Sequence, residues 1–329
     1  MTVKPKKILV IRLGAIGDVV HSTIIPQSIK EKYPDVQVDY LTANFITPLL
    51  AENPCITNVI SFDMKKKNNY FYLLWLGLKL RKEKYDTVIN LTNSIRNIFL
   101  LKIINPKNIY KRSTERVHAV DAFFNTAKVV FSDIEKPVNL HVYVPENIKS
   151  KIIEKISQYP RPYIVFSPGG DNDSERQGRI WVDEYWIELG NKLNEKYGGT
   201  VFICGSKSEQ PLHEVYKNIN NSVLMSGELS LIESAALFSL ANVFISGDSG
   251  PLHIASGLGI NTLGIMGSTP ALSCSPYGEH GYTVEPFGDC KSCGKKICIK
   301  LSDGEKFTPC MYTIKPEIIL SFIENNKLL

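Results

Sequence analysis

The chain has 329 residues, 43% of them hydrophobic and 22% charged, which excludes a disordered or low-complexity protein and suggests two domains of ordinary size. No apolar run is long enough to cross a bilayer, and the basic residues 1–7 lead into a stretch broken by Arg12 and Asp18, unlike a signal peptide. The expectation is a cytoplasmic protein whose seven cysteines stay reduced.

The formal charge of +5 is unevenly placed. Residues 1–158 carry 24 Lys+Arg against 14 Asp+Glu, a net of +10, and the remainder is −5. A basic first half suits an anionic partner: nucleic acid, a phosphorylated glycolipid or an anionic membrane surface.

Residues 7–11 (K-I-L-V-I) form a β-branched run, the signature of a buried parallel strand. R-L-G-A-I-G-D-V-V-H-S follows, with Gly14 and Gly17 between strand and helix. The spacing is G-x-x-G and not G-x-G-x-x-G, which argues against a nicotinamide or flavin site. Asp18 opens the helix above the strand's carboxyl end, where ligands bind in open α/β sheets; an acidic residue there also simply stabilises a helix. Strands at 36–42, 58–62, 86–91 and 108–112 then alternate with helices at 46–52, 70–84, 97–104 and 119–130. That alternation predicts a parallel sheet covered on both faces.

Residues 65–84 have an aromatic and leucine-rich middle with basic ends. Two readings are open: a core helix with solvated ends, or a helix lying in a membrane interface with Tyr70, Phe71, Tyr72 and Trp75 at headgroup depth. Lys107, Lys111, Arg112 and Arg116 form a basic cluster that either faces a phosphorylated acceptor or is solvated surface. A helix at 146–158 closes the first domain, and Y-P-R-P at 159–162 reads as a linker.

The alternation restarts with strands at 163–167, 200–205, 221–225, 243–246 and 261–267, and helices at 181–197, after 206, at 230–240 and after 249. A polar loop at 168–181 is placed to wrap a ligand, with Arg179 able to neutralise phosphate. Ser206 and Glu209 stand at capping-box spacing; the alternative for Glu209 is a hydrogen bond to a ribose. The stretch V-F-I-S-G-D-S-G-P-L-H-I-A-S-G-L, residues 243–258, reads as a strand, a tight turn and a helix. Gly247 and Gly250 permit a sharp turn, and Pro251 suits the first helical position. This is either an ordinary corner or an anion site built from free helix N–H groups.

Cys290, Cys293, Cys298 and Cys310 form C-x2-C-x4-C-x11-C. Four thiols at such spacing can bind structural zinc; the alternative is a loop of reduced cysteines. A last helix, 315–326, is expected to return to the first domain.

Together, R-L-G-A-I-G-D-V-V-H, I-S-G-D-S-G-P-L-H-I-A and the later G-I-M-G-S-T-P resemble glycosyltransferase family nine, which contains the ADP-heptose–lipopolysaccharide heptosyltransferases. The resemblance implies an α/β, GT-B architecture: two Rossmann-like doubly wound domains facing across a cleft. The expected division is an acceptor domain at 1–158, a nucleotide-sugar domain at 159–314 and the terminal helix at 315–329. By the family pattern Asp18 is the general base; Gly14 and Gly17 beside it, and Lys111, Arg112 and Arg116 from the basic cluster, are then expected on the acceptor side. Ser167, Gly169, Arg179, Asp248, Ser249, Gly250 and His253 line the donor diphosphate, and Glu209 lies near the ribose. The family's phosphate-loop lysine is replaced here by Arg179.

The implied activity is inverting transfer of heptose from ADP-heptose to the anionic inner core on lipid A. It requires no catalytic cofactor and no nucleic acid, and takes place at the cytoplasmic face of the inner membrane, with peripheral contact. The alternatives are another GT-B nucleotide-sugar transferase or epimerase, and a non-catalytic nucleotide- or glycan-binding protein.

Overall fold

A computed structural model describes residues 5–329 except 93, 170–177, 296 and 302–304. The chain divides into two compact units, 1–143 and 144–329.

The first unit is a five-stranded parallel sheet in the order β3-β2-β1-β4-β5. Its strands are β1 (Lys7–Ile11), β2 (Gln37–Ala43), β3 (Asn58–Phe62), β4 (Thr87–Asn90) and β5 (Asn108–Lys111). Side chains alternate along a strand, so β1 serves two cores at once. Leu9 and Ile11 join Leu41 and Val88 beneath α4 (Tyr70–Lys82) and α5 (Ile95–Ile104), which supply Leu73, Leu76, Leu80, Leu100 and Ile104. Ile8 and Val10, fully buried too, point to the other face. That face belongs to α1 (Ile16–Ser22), α2 (Ile24–Lys32) and α6 (Ala119–Val130), which pack together. The short α3 (Thr47–Leu50) leads into β3. Helices on both faces explain why strands with no polar alternation are stable in water.

The second unit holds six parallel strands in the order β11-β10-β9-β6-β7-β8. They are β6 (Tyr163–Ser167), β7 (Thr200–Ile203), β8 (Ser222–Leu224), β9 (Val243–Gly247), β10 (Asn261–Ile265) and β11 (Gly281–Val284). Numbered within the unit, the order is the 3-2-1-4-5-6 of a Rossmann fold; the first unit is the same pattern lacking its last strand. Ile164, Phe166, Val201, Ile203, Val243 and Ile245 meet Trp186, Leu189 and Leu193 of α8 (Asp183–Tyr197). On the opposite face lie α7 (Glu146–Ile156), α9 (Leu231–Phe238) and α10 (Gly250–Gly257), with the Phe238 ring 4.7 Å from that of Phe244.

The boundary falls between Tyr143 and Val144, ahead of the expected position after 158. Residues 159–162, expected to be an extended linker, are a bent segment inside the second unit, and α7 before them buries Ile152 and Ile156 and packs on α9. Proline reports backbone conformation and says nothing of what the preceding helix covers. Two short helices follow β10 and the cysteine segment: α11 (Ala271–Cys274) and α12 (Pro309–Thr313). The last helix, α13 (Pro316–Asn325), spends its apolar face within the second unit. Ile319 and Ile323, with Leu328 beyond it, enter the core beside α8, where the expectation was a return to the first domain. The short strand β11 was not anticipated, because G-Y-T-V is brief and begins with glycine.

Candidate active site

In an open parallel sheet the strand order reverses at one point, and the loops leaving the carboxyl ends there diverge and open a crevice. In the first unit that point is between β1 and β4, and in the second between β6 and β9. Most of the residues singled out in the sequence sit on the loops leaving these four strands.

In the first unit Arg12 follows β1 directly. Its backbone N–H donates to Leu41 O at 3.1 Å, continuing the ladder, and Nη1 donates to Leu91 O at 2.6 Å beyond β4. Arg12 Nη2 forms an ion pair with Asp18 Oδ2 in the first turn of α1. The side chain of Arg12 is 13% exposed and that of Asp18 29%, so the carboxylate is fixed yet reachable. Arg12 Nε is buried without a hydrogen-bond partner. Gly14 and Gly17 flank this turn, Gly17 being buried in α1. Lys111 ends β5 at the same carboxyl edge of the sheet, and the guanidinium of Arg112 lies 4.8 Å from the centre of the Phe123 ring. Arg116 is exposed. Lys107 is at the opposite, amino-terminal edge, 3.6 Å from Asp86, so the basic cluster divides between two edges.

In the second unit Ser167 ends β6 and Gly169 follows in the left-handed region, at φ +73°. The Gly169 carbonyl accepts a 2.8 Å hydrogen bond from His213 Nε2, whose Nδ1 is 2.6 Å from Ser226 Oγ. Burial, the largest influence, lowers the pKa of His213 despite the opposing Gly169 bond and nearby carboxylates. The neutral ring donates through Nε2 and accepts through Nδ1. Glu209 follows β7; its Oε2 accepts from Ser206 N at 2.7 Å, and its own N–H donates to Ser206 Oγ at 3.3 Å, as capping-box spacing implies. The helix expected there is a 3-10 turn, Leu212–Asn218. Residues 170–177 of the ligand loop expected at 168–181 lie outside the described residues.

After β9 the chain passes through Gly247, Asp248 and Ser249 into α10. Ser249 caps the helix, accepting from Leu252 N, and Pro251 sits in the first turn as expected. Ser246 Oγ ties the turn together, donating to Ser167 O at 2.8 Å and lying 2.9 Å from Ser249 Oγ. Gly250 begins α10, so its N–H and those beside it are the unpaired donors of a helix start. Arg179 Nε is 3.2 Å from Asp248 Oδ2, and His253 Nε2 is 3.6 Å from Asp248 Oδ1. Burial raises the Asp248 pKa, but the His253 hydrogen bond, the Arg179 and His253 charges and Thr269 together outweigh it and hold the carboxyl below its usual value.

Gly247 has a reason that the sequence did not disclose. A Cβ there would stand 2.3 Å from the carbonyl oxygen of Arg179, and one at Gly267 would stand 2.1 Å from that of Gly178. Ser268 N donates to Gly178 O at 2.8 Å. Residues 178–179 therefore cross the strand ends in direct contact with backbone, which is how Arg179 reaches Asp248. Arg12 and His213 are the two site residues that sequence reasoning missed. For Arg12 the signal was its place between strand and glycine turn; His213 had none, since its partners Gly169 and Ser226 are distant in sequence.

Two sets of residues bear on metal binding. Asp248, His253 and Cys274 hold ligand atoms within 4.8 Å of one another, the set that meets such spacing among the described residues. Cys274 Sγ is 3.8 Å from His253 Nε2. Cys290, Cys293, Cys298 and Cys310 are free thiols outside that spacing. They nevertheless share a neighbourhood. Burial raises the Cys310 pKa, and Cys290, Cys298 and Cys293 raise it further, against a lowering contact from Thr308.

The geometry is a Rossmann-like strand–turn–helix at the carboxyl edge of the second unit's sheet and an arginine-held carboxylate at the carboxyl edge of the first unit's sheet. A match to glycosyltransferase family 9 (heptosyltransferase) spans residues 107–301. The lipopolysaccharide core heptosyltransferase OpsX of Haemophilus influenzae is 25% identical over 299 residues, covering 84% of this chain and 83% of that protein. Among solved structures, a family 9 glycosyltransferase from Veillonella parvula superposes with a TM-score of 0.86 at 19% identity, covering 99% and 98% of the two chains. The ADP-heptose lipopolysaccharide heptosyltransferase II of Escherichia coli gives 0.77 at 20% identity, covering 98% of each. The fold is thus that of the GT-B heptosyltransferases, and the chain belongs to glycosyltransferase family 9, the heptosyltransferase family.

Proposed function

We propose that this enzyme transfers heptose from ADP-heptose, with inversion, to a Kdo or heptose hydroxyl of the lipopolysaccharide inner core. The observation that carries the reading is the family match, which includes the β9–α10 turn where the donor diphosphate is expected. Lipopolysaccharide heptosyltransferase relatives over most of the chain support the acceptor, and the structural likeness to an ADP-heptose lipopolysaccharide heptosyltransferase supports the donor.

The chemistry follows from the residues. The N–H groups at Ser249 and Gly250 and the helix dipole of α10 receive the diphosphate. Arg179 adds a fixed positive charge, held in place by Asp248. Ser167 and Gly169 approach the phosphates from β6, and His253 contributes a ring nitrogen beside Asp248. Glu209, in the loop after the second strand of the unit, is assigned to the ribose by analogy with the carboxylate that follows the second strand of Rossmann folds. As the bond to the anomeric carbon breaks, charge builds on the diphosphate, and these groups stabilise it. Asp18 takes the proton from the attacking hydroxyl. Arg12 occupies its Oδ2 and fixes its direction, leaving Oδ1 for the acceptor. Gly14 and Gly17 let the acceptor close on this turn, while Lys111, Arg112 and Arg116 offer charge to an anionic core. No step uses a metal.

The acceptor's lipid anchor would bring the enzyme to the cytoplasmic face of the inner membrane. We also assign structural zinc to Cys290, Cys293, Cys298 and Cys310: one buried thiol and three more exposed ones give four soft sulfur donors, the number and type that a tetrahedral ion takes once they are drawn together. Metal analysis of the purified protein should find about one ion per chain, lost in Cys293→Ser. Iron in its place would correct the metal, and an ion that survives the substitution would move the site to Asp248, His253 and Cys274.

The deciding experiment is a transfer assay with ADP-heptose and defined lipid A core acceptors, read by mass spectrometry. Mass gain of one heptose is expected. Transfer from GDP- or UDP-sugars instead would point to another nucleotide-sugar transferase, and ADP binding without turnover on any acceptor would leave a binding protein.

A further inference from the structure

The α4 helix has two apolar faces. Leu73, Leu76, Gly77 and Leu80 are buried and bind it to the sheet and to α5. Phe71, Leu74, Trp75 and Leu78 repeat at the same i, i+3, i+4, i+7 spacing on another face, and all are exposed: Phe71 by 86% and Trp75 by 57%. Ile95 and Ile98 of α5 are exposed as well, and Tyr70 of α4 meets Phe99 of α5 with ring centres 5.3 Å apart. A contiguous set of large apolar side chains in water is not a folding requirement and marks a surface that something covers.

The charges around it identify the covering. Lys65, Lys66 and Lys67 precede the helix and Lys79, Arg81 and Lys82 end it, all exposed. No carboxylate occurs between Asp63 and Glu83 or between Asp86 and Glu115. Lys66 stands 5.8 Å from the Tyr72 ring centre and Lys79 stands 5.7 Å from that of Trp75, so ammonium groups flank the aromatic face. Aromatic rings with lysines beside them are the pattern of a helix lying at headgroup depth on an anionic bilayer. The helix is far too short and charged to cross one, and no helix among the described residues qualifies. It is also rigidly mounted: a Cβ at Gly77 would lie 2.6 Å from Ile103, so α4 and α5 touch at close range. A shallow pocket of about 570 Å³, lined by Lys66, Tyr72 and Trp75 among others, opens on this face.

We infer that the exposed face of α4 and the start of α5 seat the first unit on an anionic lipid surface. Phe71 and Trp75 enter the headgroup region, and the two lysine clusters pair with lipid phosphates. This deepens the lipid-acceptor reading above and rests on it for its purpose, while the surface itself can be tested without any transfer.

The chain has three tryptophans, and Trp181 and Trp186 are fully buried, so Trp75 alone reports on solvent. Vesicles of phosphatidylcholine with one-third phosphatidylglycerol should shift its emission to the blue and sediment the protein, and phosphatidylcholine alone should not. Phe71→Ser with Leu78→Ser should weaken vesicle binding at least tenfold and keep the circular dichroism and melting temperature. Lys65→Glu with Lys66→Glu should do the same without touching an apolar group. Transfer to a deacylated, water-soluble core acceptor should be unchanged in both variants. Wild-type protein that ignores phosphatidylglycerol vesicles, or variants that bind them as well as wild type, would overturn the inference. So would a wild-type dimer that the Phe71→Ser, Leu78→Ser variant dissolves, since the face would then meet a second copy. Loss of transfer with vesicle binding intact would remove the proposed function and leave the surface standing.

Discussion

Asp18 is held by a residue only six positions earlier, and this pairing changes what its substitution should do. Asp18→Asn keeps the shape and loses the proton acceptor, so turnover should fall by about a hundred- to ten-thousand-fold. ADP affinity, measured by calorimetry, should stay as it was, because no donor group is altered; turnover near that of the wild type would end the base assignment. His213 makes a different prediction. Its ordinary pKa of 6.5 is lowered in the folded protein, chiefly by burial. Below about pH 6.5 the unfolded chain therefore binds a proton that the folded unit refuses, and stability falls as pH falls. Asp248 also loses stabilising interactions on acidification, but its lowered carboxyl pKa puts that loss below the ordinary 3.8. Decline between pH 6.5 and 5 should thus be seen in the melting temperature of the wild type and be smaller in His213→Gln, which retains a donor toward Gly169. An equal slope in both would assign the effect elsewhere.

At the scale of the element, the strand–turn–helix at 243–258 was legible because each part has a local cause. Buried β-branched residues make β9, Ser249 caps and Pro251 starts α10. The role of Gly247 was not legible, because the atom it makes room for arrives from residue 179. Gly247→Ala should cost about 1–3 kcal/mol through overpacking, and should displace Arg179 from Asp248. Differential scanning fluorimetry would show the lost stability and calorimetry the weakened ADP binding. Full ADP affinity in that variant would separate Arg179 from the donor. The helix α4 teaches the converse. Sequence left it open between core and interface, and the two readings prove compatible: one apolar face fills the core while the other stays exposed, which a composition of leucine and aromatics cannot resolve.

For the whole molecule, alternation of strands and helices was enough to read two parallel sheets, since hydrophobic period and glycine punctuation are local signals. The domain boundary and the destination of α13 were not readable, because both depend on which surface an amphipathic helix covers. That packing has a measurable consequence. Ile323 is fully buried in the second unit's core, on the helix that lies against α8. Ile323→Ala should remove about 2–5 kcal/mol from that unit through lost burial and the cavity left behind. If ADP binds the folded second unit alone, as the proposed donor site requires, it should stabilise the same unit in proportion to the logarithm of its concentration. If the units melt separately, one calorimetric transition should fall in Ile323→Ala and rise with ADP, and the other should respond to neither. Substituting Leu76, in the core beneath α4, gives the complementary test: Leu76→Ala should lower only the transition that ADP leaves in place. Should ADP raise the transition that Leu76→Ala lowers, the nucleotide would have to be reassigned to the first unit.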